Sequence, residues 1–345
     1  MKKSFAFTAV CAAAVLGAAT LCACNTQTLP TTLIYAGDLQ SLYGEGGYPQ
    51  AVLVAKKSVI ESDEGAVHAL LSYFEGSKSY LENTDGASIA SLLQGKYPSG
   101  MTPSFNANNL TSAVIQNCSV RFTKSADCKE EVNAFLSKLV AVDGEFTTTV
   151  ADSFYYTGTP TAAESSNTYS VYAPDGAPAL AIANAIHEGG NFDYHIVAAN
   201  TITAQVMGES PKADFCVLPV NAAALKLGTG TTYQMLGTVT NGNLYFLGAG
   251  EQTVLNAENL ATALKGKTIG VVQLANVPGL TLRCVLEANN IPYEILGNDT
   301  NASDKNKVYL KAIRDAAADV TPAGGCDYYL CPEPAASAKL SKFKK

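Results

Sequence analysis

DFCVLPVNAAALKL (214–227) and DYYLCPEPAASAKL (327–340) align without a gap. They share Asp214 with Asp327, Pro219 with Pro332, two alanines, Lys226 with Lys339 and Leu227 with Leu340. DFCVL and DYYLC are short apolar runs rich in aromatic and branched residues, the pattern of buried strands. A proline stops each run, and the Ala-rich stretch that follows predicts a helix. Each copy therefore reads as strand, Pro turn, helix. The likeness extends upstream. SVYAPDGAPALAIANAI (170–186) and TIGVVQLANVPGLTLRCVLEANNI (268–291) each read as strand, turn and helix. Pro178 and Pro278 stand where a helix begins, a position that tolerates the missing N–H. One block runs about 170–227 and the second about 268–340. Chance likeness between Ala-rich αβ units is the plainer alternative.

Alternating strands and helices predict an α/β fold with mostly parallel sheets. In such sheets ligands bind beyond the carboxyl ends of the strands, where helix N-termini present free N–H groups. Two similar lobes facing each other would enclose a central cleft.

The chain has 345 residues, enough for two domains, and is 47% apolar and 15% charged. Its net charge of −7 argues against nucleic acid or an anionic membrane surface as the main partner. Lys2 and Lys3 precede an apolar run that ends LCAC at 21–24. This is the pattern of a signal peptide, and it resembles a bacterial lipobox, in which Cys24 is lipidated and becomes the mature N-terminus. An uncleaved membrane anchor is the alternative. Cys118, Cys128, Cys216, Cys284, Cys326 and Cys331 show no disulfide-framework or zinc spacing, so buried free thiols are expected. The three histidines, 68, 187 and 195, have no ligand spacing, and neither metal nor cofactor is expected.

VYAPDGAPALAIANAI, DYHIVAANTITAQVMG, ADFCVLPVNAAALKLG, KTIGVVQLANVPGLTLRCVLEANNI and DYYLCPEPAASAKL, with the lipobox, resemble the substrate-binding lipoproteins of ABC importers. The similarity is to the type II periplasmic-binding-protein group with nitrate-, sulfonate- and thiamine-precursor-type members. Residues 38–81 resemble the same family, but in the family that segment follows the PEPAASAK-type segment. The order here resembles a circular permutation, with TGTPTAAESSN (157–167) joining the old ends as an exposed linker that the fold does not need. A tandem of gene fragments is the alternative.

The resemblance implies a signal peptide over 1–24, a first lobe over 48–247 and a second lobe from 31–37 and 250–345. The chain would cross between lobes near 38–48 and 247–267, with Gly44, Gly46, Gly47, Gly248 and Gly250 as hinge candidates. It implies a monomer, lipid-anchored on the extracytoplasmic face, that captures a small polar organic ligand and delivers it to ABC permease subunits. A ligand-sensing lipoprotein without an importer, or an enzyme on the same fold, are the alternatives. No Ser–His–Asp, Cys–His or GxSxG arrangement supports the enzyme.

Candidate ligand-binding residues sit in the turns at helix starts. They are Asp175, Gly176 and Ala177; Asn200, Thr201 and Thr203; Asn221; Asn276; and Glu333, with Tyr48 at a crossing. Helix capping is the ordinary alternative for each polar one. Glu333 is an unusual cap, so it is expected to be kept for a ligand and to lack an internal partner. Arg283, a turn into its helix, is expected to face outward. Tyr172 and Tyr245 could line the cleft or fill the core. With carboxylates and no basic residue at the turns, a donor-bearing or cationic ligand is expected.

Overall fold

The computed structural model describes residues 29–297 and 302–344. The segment 1–24, with Leu21 and Cys24, lies outside the described residues. Strands in chain order are β1 Leu33–Asp38, β2 Ala51–Lys56, β3 Val120–Lys124, β4 Tyr169–Pro174, β5 Phe192–Val197 and β6 Phe215–Pro219. They continue as β7 Tyr233–Thr240, β8 Leu244–Ala249, β9 Thr268–Val272, β10 Tyr293–Leu296, β11 Val308–Ile313 and β12 Tyr328–Pro332. They form two six-stranded sheets flanked by helices, in the orders β1-β8-β12-β9-β11-β10 and β3-β7-β2-β6-β4-β5.

Both sheets are mixed, with three of five pairings parallel in the first and two of five in the second. In the first, β1–β8 and β8–β12 pair antiparallel, while β12–β9, β9–β11 and β11–β10 pair parallel. In the second, β3–β7, β7–β2 and β2–β6 pair antiparallel, while β6–β4 and β4–β5 pair parallel. The βαβ units account for the parallel halves. The antiparallel halves hold strands that arrive from the other sheet.

Laid side by side, β1-β8-β12-β9-β11 and β7-β2-β6-β4-β5 have the same run of antiparallel and parallel pairings. The two fourteen-residue segments occupy equivalent places, as β12 with the helix Ala335–Lys342 and β6 with the helix Val220–Leu227. Their shared aspartate does the same work twice. Asp214 accepts from the Ser170 N–H at 2.9 Å and pairs with Lys56. Asp327 accepts from the Thr268 N–H at 2.9 Å and pairs with Lys267. Each carboxylate thus ties its strand to the start of the adjacent parallel strand. The shared lysine does not keep one role: Lys226 is exposed, whereas Lys339 is buried and donates to Ala317 O.

The chain passes between sheets from β1 to β2 and from β7 to β8. Each passage leaves the outer strand of the five-strand pattern and enters the second strand of the other. The second passage is Asn241–Asn243, upstream of the expected 247–267. Gly248 therefore lies inside β8, paired on both sides, and is no hinge. The two passages touch at Gly47, where a Cβ would lie 2.5 Å from Asn241 O and φ is +78°. Only glycine fits both requirements.

Strand alternation divides the apolar residues between faces. Val52, Val54, Cys216 and Leu218 of the second sheet and Phe246, Ile269, Val271 and Leu330 of the first belong to one continuous core. Phe135 of the helix Ser125–Val142 and Leu280 of the helix Val277–Ala288 bridge it. Leu53 and Val217 face a second core, and Leu247 and Tyr329 a third. Cys118, Cys128, Cys216, Cys284, Cys326 and Cys331 are buried and unpaired. Among the described residues no helix is long and apolar enough to cross a membrane.

The stretch 157–167 is mostly exposed but is not a free tether. Ser165 Oγ and Asn167 Nδ2 donate to Asp63, the N-cap of the helix Glu64–Asn83, and the Thr161 N–H donates to Glu64. An unpaired N-cap carboxylate offers spare acceptor sites, and the polar linker fills them.

Candidate functional site

Beyond the ends of β6, β9 and β12 stand Asn221, in the first turn of the helix Val220–Leu227, Asn276 and Glu333. Asn276 holds the N-cap position of the helix Val277–Ala288, yet its side chain makes no capping bond. Instead its Oδ1 accepts from Asn221 Nδ2 at 3.4 Å, joining a turn of one sheet to a turn of the other. The same amide donates to Phe146 O at 3.0 Å. Gly279 permits the turn before this helix, since a Cβ there would lie 1.9 Å from Leu274 O.

Glu333 is 3% exposed and corrects the expectation that it lacks internal partners. It accepts from Asn117 Nδ2 at 3.0 Å, from the Ser337 N–H at 3.1 Å and from Ser337 Oγ at 2.7 Å. Capping by Glu333 is thus realised, alongside a contact with Asn117 at the end of the helix Ser112–Asn117. Asn117 O in turn accepts from the Tyr245 hydroxyl at 2.8 Å. The Glu333 N–H donates to Asn243 O, and Asn243 Oδ1 accepts from Gln50 Nε2 at 2.7 Å. Gln50 O accepts from the Val220 N–H, next to Asn221. The result is a connected polar seam between the sheets: Gln50, Asn117, Asn221, Asn243, Tyr245, Asn276 and Glu333.

Several buried atoms of this region have no partner in the protein. They are Tyr48 Oη, Gln50 Oε1, Asn221 Oδ1 and Thr147 Oγ1. Tyr48 is fully buried, stacked on Phe135 at 5.6 Å and edge-on to Tyr43. Burial pushes its phenol well above the ordinary range. Tyr245 is also raised, first by burial and then by Glu333. Burial pushes the Cys118 thiol up, with Glu333 adding to it, and pushes Cys331 up to about 12. These thiols are therefore poor nucleophiles. Among the described residues no group of His, Cys, Asp and Glu could hold a metal ion.

The other candidates lie differently. Asp175 is occupied by Tyr97 Oη at 2.7 Å, Ser104 Oγ at 2.6 Å and the N–H groups of Ser104 and Gly176. It anchors the loop 97–104. Ala177 is buried, and Gly176 caps the helix Ala177–Ala181. Asn200, Thr201 and Thr203 sit on the short 3-10 helix Ala199–Val206, and Thr201 Oγ1 donates to Ala198 O. Tyr172 stacks on His195 at 4.5 Å. Arg283, expected to face outward, is 8% exposed. Its guanidinium donates to Asp143 Oδ2 and Val142 O at 2.9 Å each. The Arg283 hydrogen bond is the main cause holding Asp143 below the usual carboxylate range. A surface cavity of about 250 Å³ lies beside the passages, against Lys78, Ser119, Arg121 and Asn241, and none of the candidates lines it.

Sequence reasoning missed Gln50, Asn117, Asn243 and Thr147. Gln50 follows Tyr48 and Pro49 at the start of β2, and Asn243 is the last residue of a passage. Both positions become legible only once the passages are located. Set against known proteins, the chain matches no family model, no curated protein and no solved structure.

Proposed function

We propose that the chain is an extracytoplasmic, lipid-anchored solute-binding protein that holds a small polar organic molecule at the seam between its two sheets and presents it to an ABC importer. The observation that carries the reading is the set of buried, unpartnered polar atoms at that seam. An unsatisfied buried group costs about 1–3 kcal/mol, so a run of them calls for a hydrogen-bonding guest. The reciprocal passages support it further, because two short connections carry the chain between the sheets, as a hinged pair would need. The resemblance to type II binding proteins supplies the importer and the lipid anchor at Cys24. It also supplies the two-lobed cleft and the permuted order. Thr161 within the join 157–167 and Tyr169 just beyond it both reach the start of the helix Glu64–Asn83, at Glu64 and Asp63.

The test is mass spectrometry of small molecules released when the protein, purified without prior unfolding, is denatured. A stoichiometric organic compound is the expected result. Its absence, both as purified and after incubation with a metabolite extract, would remove the capture reading. Cys24→Ala should release the protein from the membrane fraction or leave the precursor uncleaved. Unchanged attachment would remove the anchor.

A further inference from the structure

The partners already present at the seam define what remains free. Gln50 spends its Nε2 on Asn243, and Asn221 spends its Nδ2 on Phe146 O and Asn276. What each has left is a carboxamide oxygen, an acceptor only. Phe146 O is a backbone acceptor that must face an N–H group and so fixes the Asn221 amide, while Gln50 and Asn243 are oriented together as an amide–amide pair. Glu333 adds a carboxylate that is 3% exposed and joins none of the ion pairs among the described residues. The guanidinium that bridges the same interface, Arg283, is committed to Asp143 and Val142 O.

From this balance, and resting on the capture reading above, we infer that the seam selects a ligand by its N–H donors: a small amino- or amidine-bearing molecule read by Gln50 Oε1, Asn221 Oδ1 and Tyr48 Oη. Oxyanions are disfavoured by the two carboxamide oxygens; Tyr48 Oη is the one of the three that can also donate. An anion would face two carbonyl oxygens and a buried carboxylate, and no free cation of the seam would offset them. A donor-free heterocycle would leave the carbonyl oxygens unpartnered, and the penalty for burying them would persist. Sites built to hydrogen-bond a donor discriminate strongly against analogues that lack it.

The experiment incubates the purified protein with a defined mixture of matched compounds. One half holds 9-methyladenine, 1-methylcytosine, 4-aminopyrimidine and 2-aminopyridine, whose only N–H groups are on the exocyclic amine. The other holds their N,N-dimethylated counterparts with nitrate, methanesulfonate and acetate. Compounds retained after desalting are identified by denaturing mass spectrometry, and affinities follow by calorimetry. The expected result is retention of an N–H compound at least tenfold over its methylated partner. Tyr48→Phe and Asn221→Leu should each weaken it about tenfold. Gln50→Met should weaken it more than Gln50→Glu, since only Glu keeps an acceptor. Melting curves without compound check that each variant is folded. Retention of an oxyanion, or of methylated compounds equally well, overturns the inference and leaves the capture reading standing. Retention of nothing from either half, with a different compound released from the native protein, overturns the inference if that compound lacks N–H groups. No compound from any source overturns both.

Discussion

Replacing Tyr48 by Phe should stabilise the ligand-free protein. The ring is fully buried and packs on Phe135 and Tyr43, and Phe keeps that packing. The only atom lost is Oη, which has no partner in the protein. A hydroxyl taken from water and left unbonded costs about 1–3 kcal/mol. Taking the lower end, about 1 kcal/mol is recovered, which in a chain of 345 residues raises Tm by about 1–2 °C. Scanning calorimetry at neutral pH, on protein stripped of small molecules by refolding, reads this directly. A Tm lowered by more than a degree or two would refute the reasoning. The hydroxyl would then be hydrogen-bonded, through an ordered water for instance, and would belong to the structure rather than to a ligand.

Glu333→Ala should behave in the opposite way: with Asn117 and Ser337 losing a buried acceptor, chemical denaturation should show a loss of about 2–4 kcal/mol. Asp143 and Asp63 are both held below the ordinary carboxylate range, chiefly by Arg283 and by the Ser165 hydroxyl. Their contribution is complete above the unfolded value near 4 and is lost as pH falls through the lower folded values. Acid titration of stability should therefore steepen below about pH 4, and Asp143→Asn should flatten part of that fall. Gly279→Ala places a Cβ 1.9 Å from the Leu274 carbonyl, so the turn after β9 must move, and Tm should drop by several degrees.

The parallel halves of both sheets were legible because FCVLP, TIGVV and YYLCP carry unbroken apolar runs ended by a turn, and because two of the units repeat. The antiparallel halves were not. TTLIYAG and AVLVAK read as strands, but nothing in a strand's own pattern gives its direction or the sheet it joins. Asn241-Gly242-Asn243 is the plainest case. Asn-Gly between two apolar runs is ordinarily a hairpin signal, yet β7 and β8 belong to different sheets. What decides it is that Leu244 and Phe246 face the core shared by both sheets while Tyr245 reaches Asn117. Among the site residues, Asn276 was legible from its place before Pro278. The partners of Glu333 and Asp175 were not, because Asn117 lies 216 residues from Glu333 and Ser104 lies 71 from Asp175. A turn shows in the sequence that a polar side chain stands at the end of a strand. Whether a distant loop has already taken that side chain depends on packing that local sequence does not encode.

The seam also carries a consequence for motion. With Tyr48, Gln50, Asn221 and Thr147 each leaving an atom unbonded, closing the sheets on a dry seam costs on the order of several kcal/mol by the same per-group penalty. Contacts that span the sheets oppose that cost, among them Arg283 with Asp143, Asn117 with Glu333 and Asn221 with Asn276. The apolar core shared by both sheets adds to those contacts, and a guest that satisfies the stranded polar atoms should shift any open population closed. A guest at a hundred times its Kd adds about 2.7 kcal/mol, enough to convert an even mixture to one nearly all closed. Small-angle scattering should then show a smaller radius of gyration with a retained compound than without it. Asp143→Asn, which weakens one spanning contact and leaves the stranded acceptors in place, should enlarge the ligand-free radius. If the radius is the same with and without a saturating compound, and Asp143→Asn leaves it unchanged, the spanning contacts hold the sheets closed regardless of the guest. The unpartnered atoms would then be satisfied by resident water rather than by anything the protein captures.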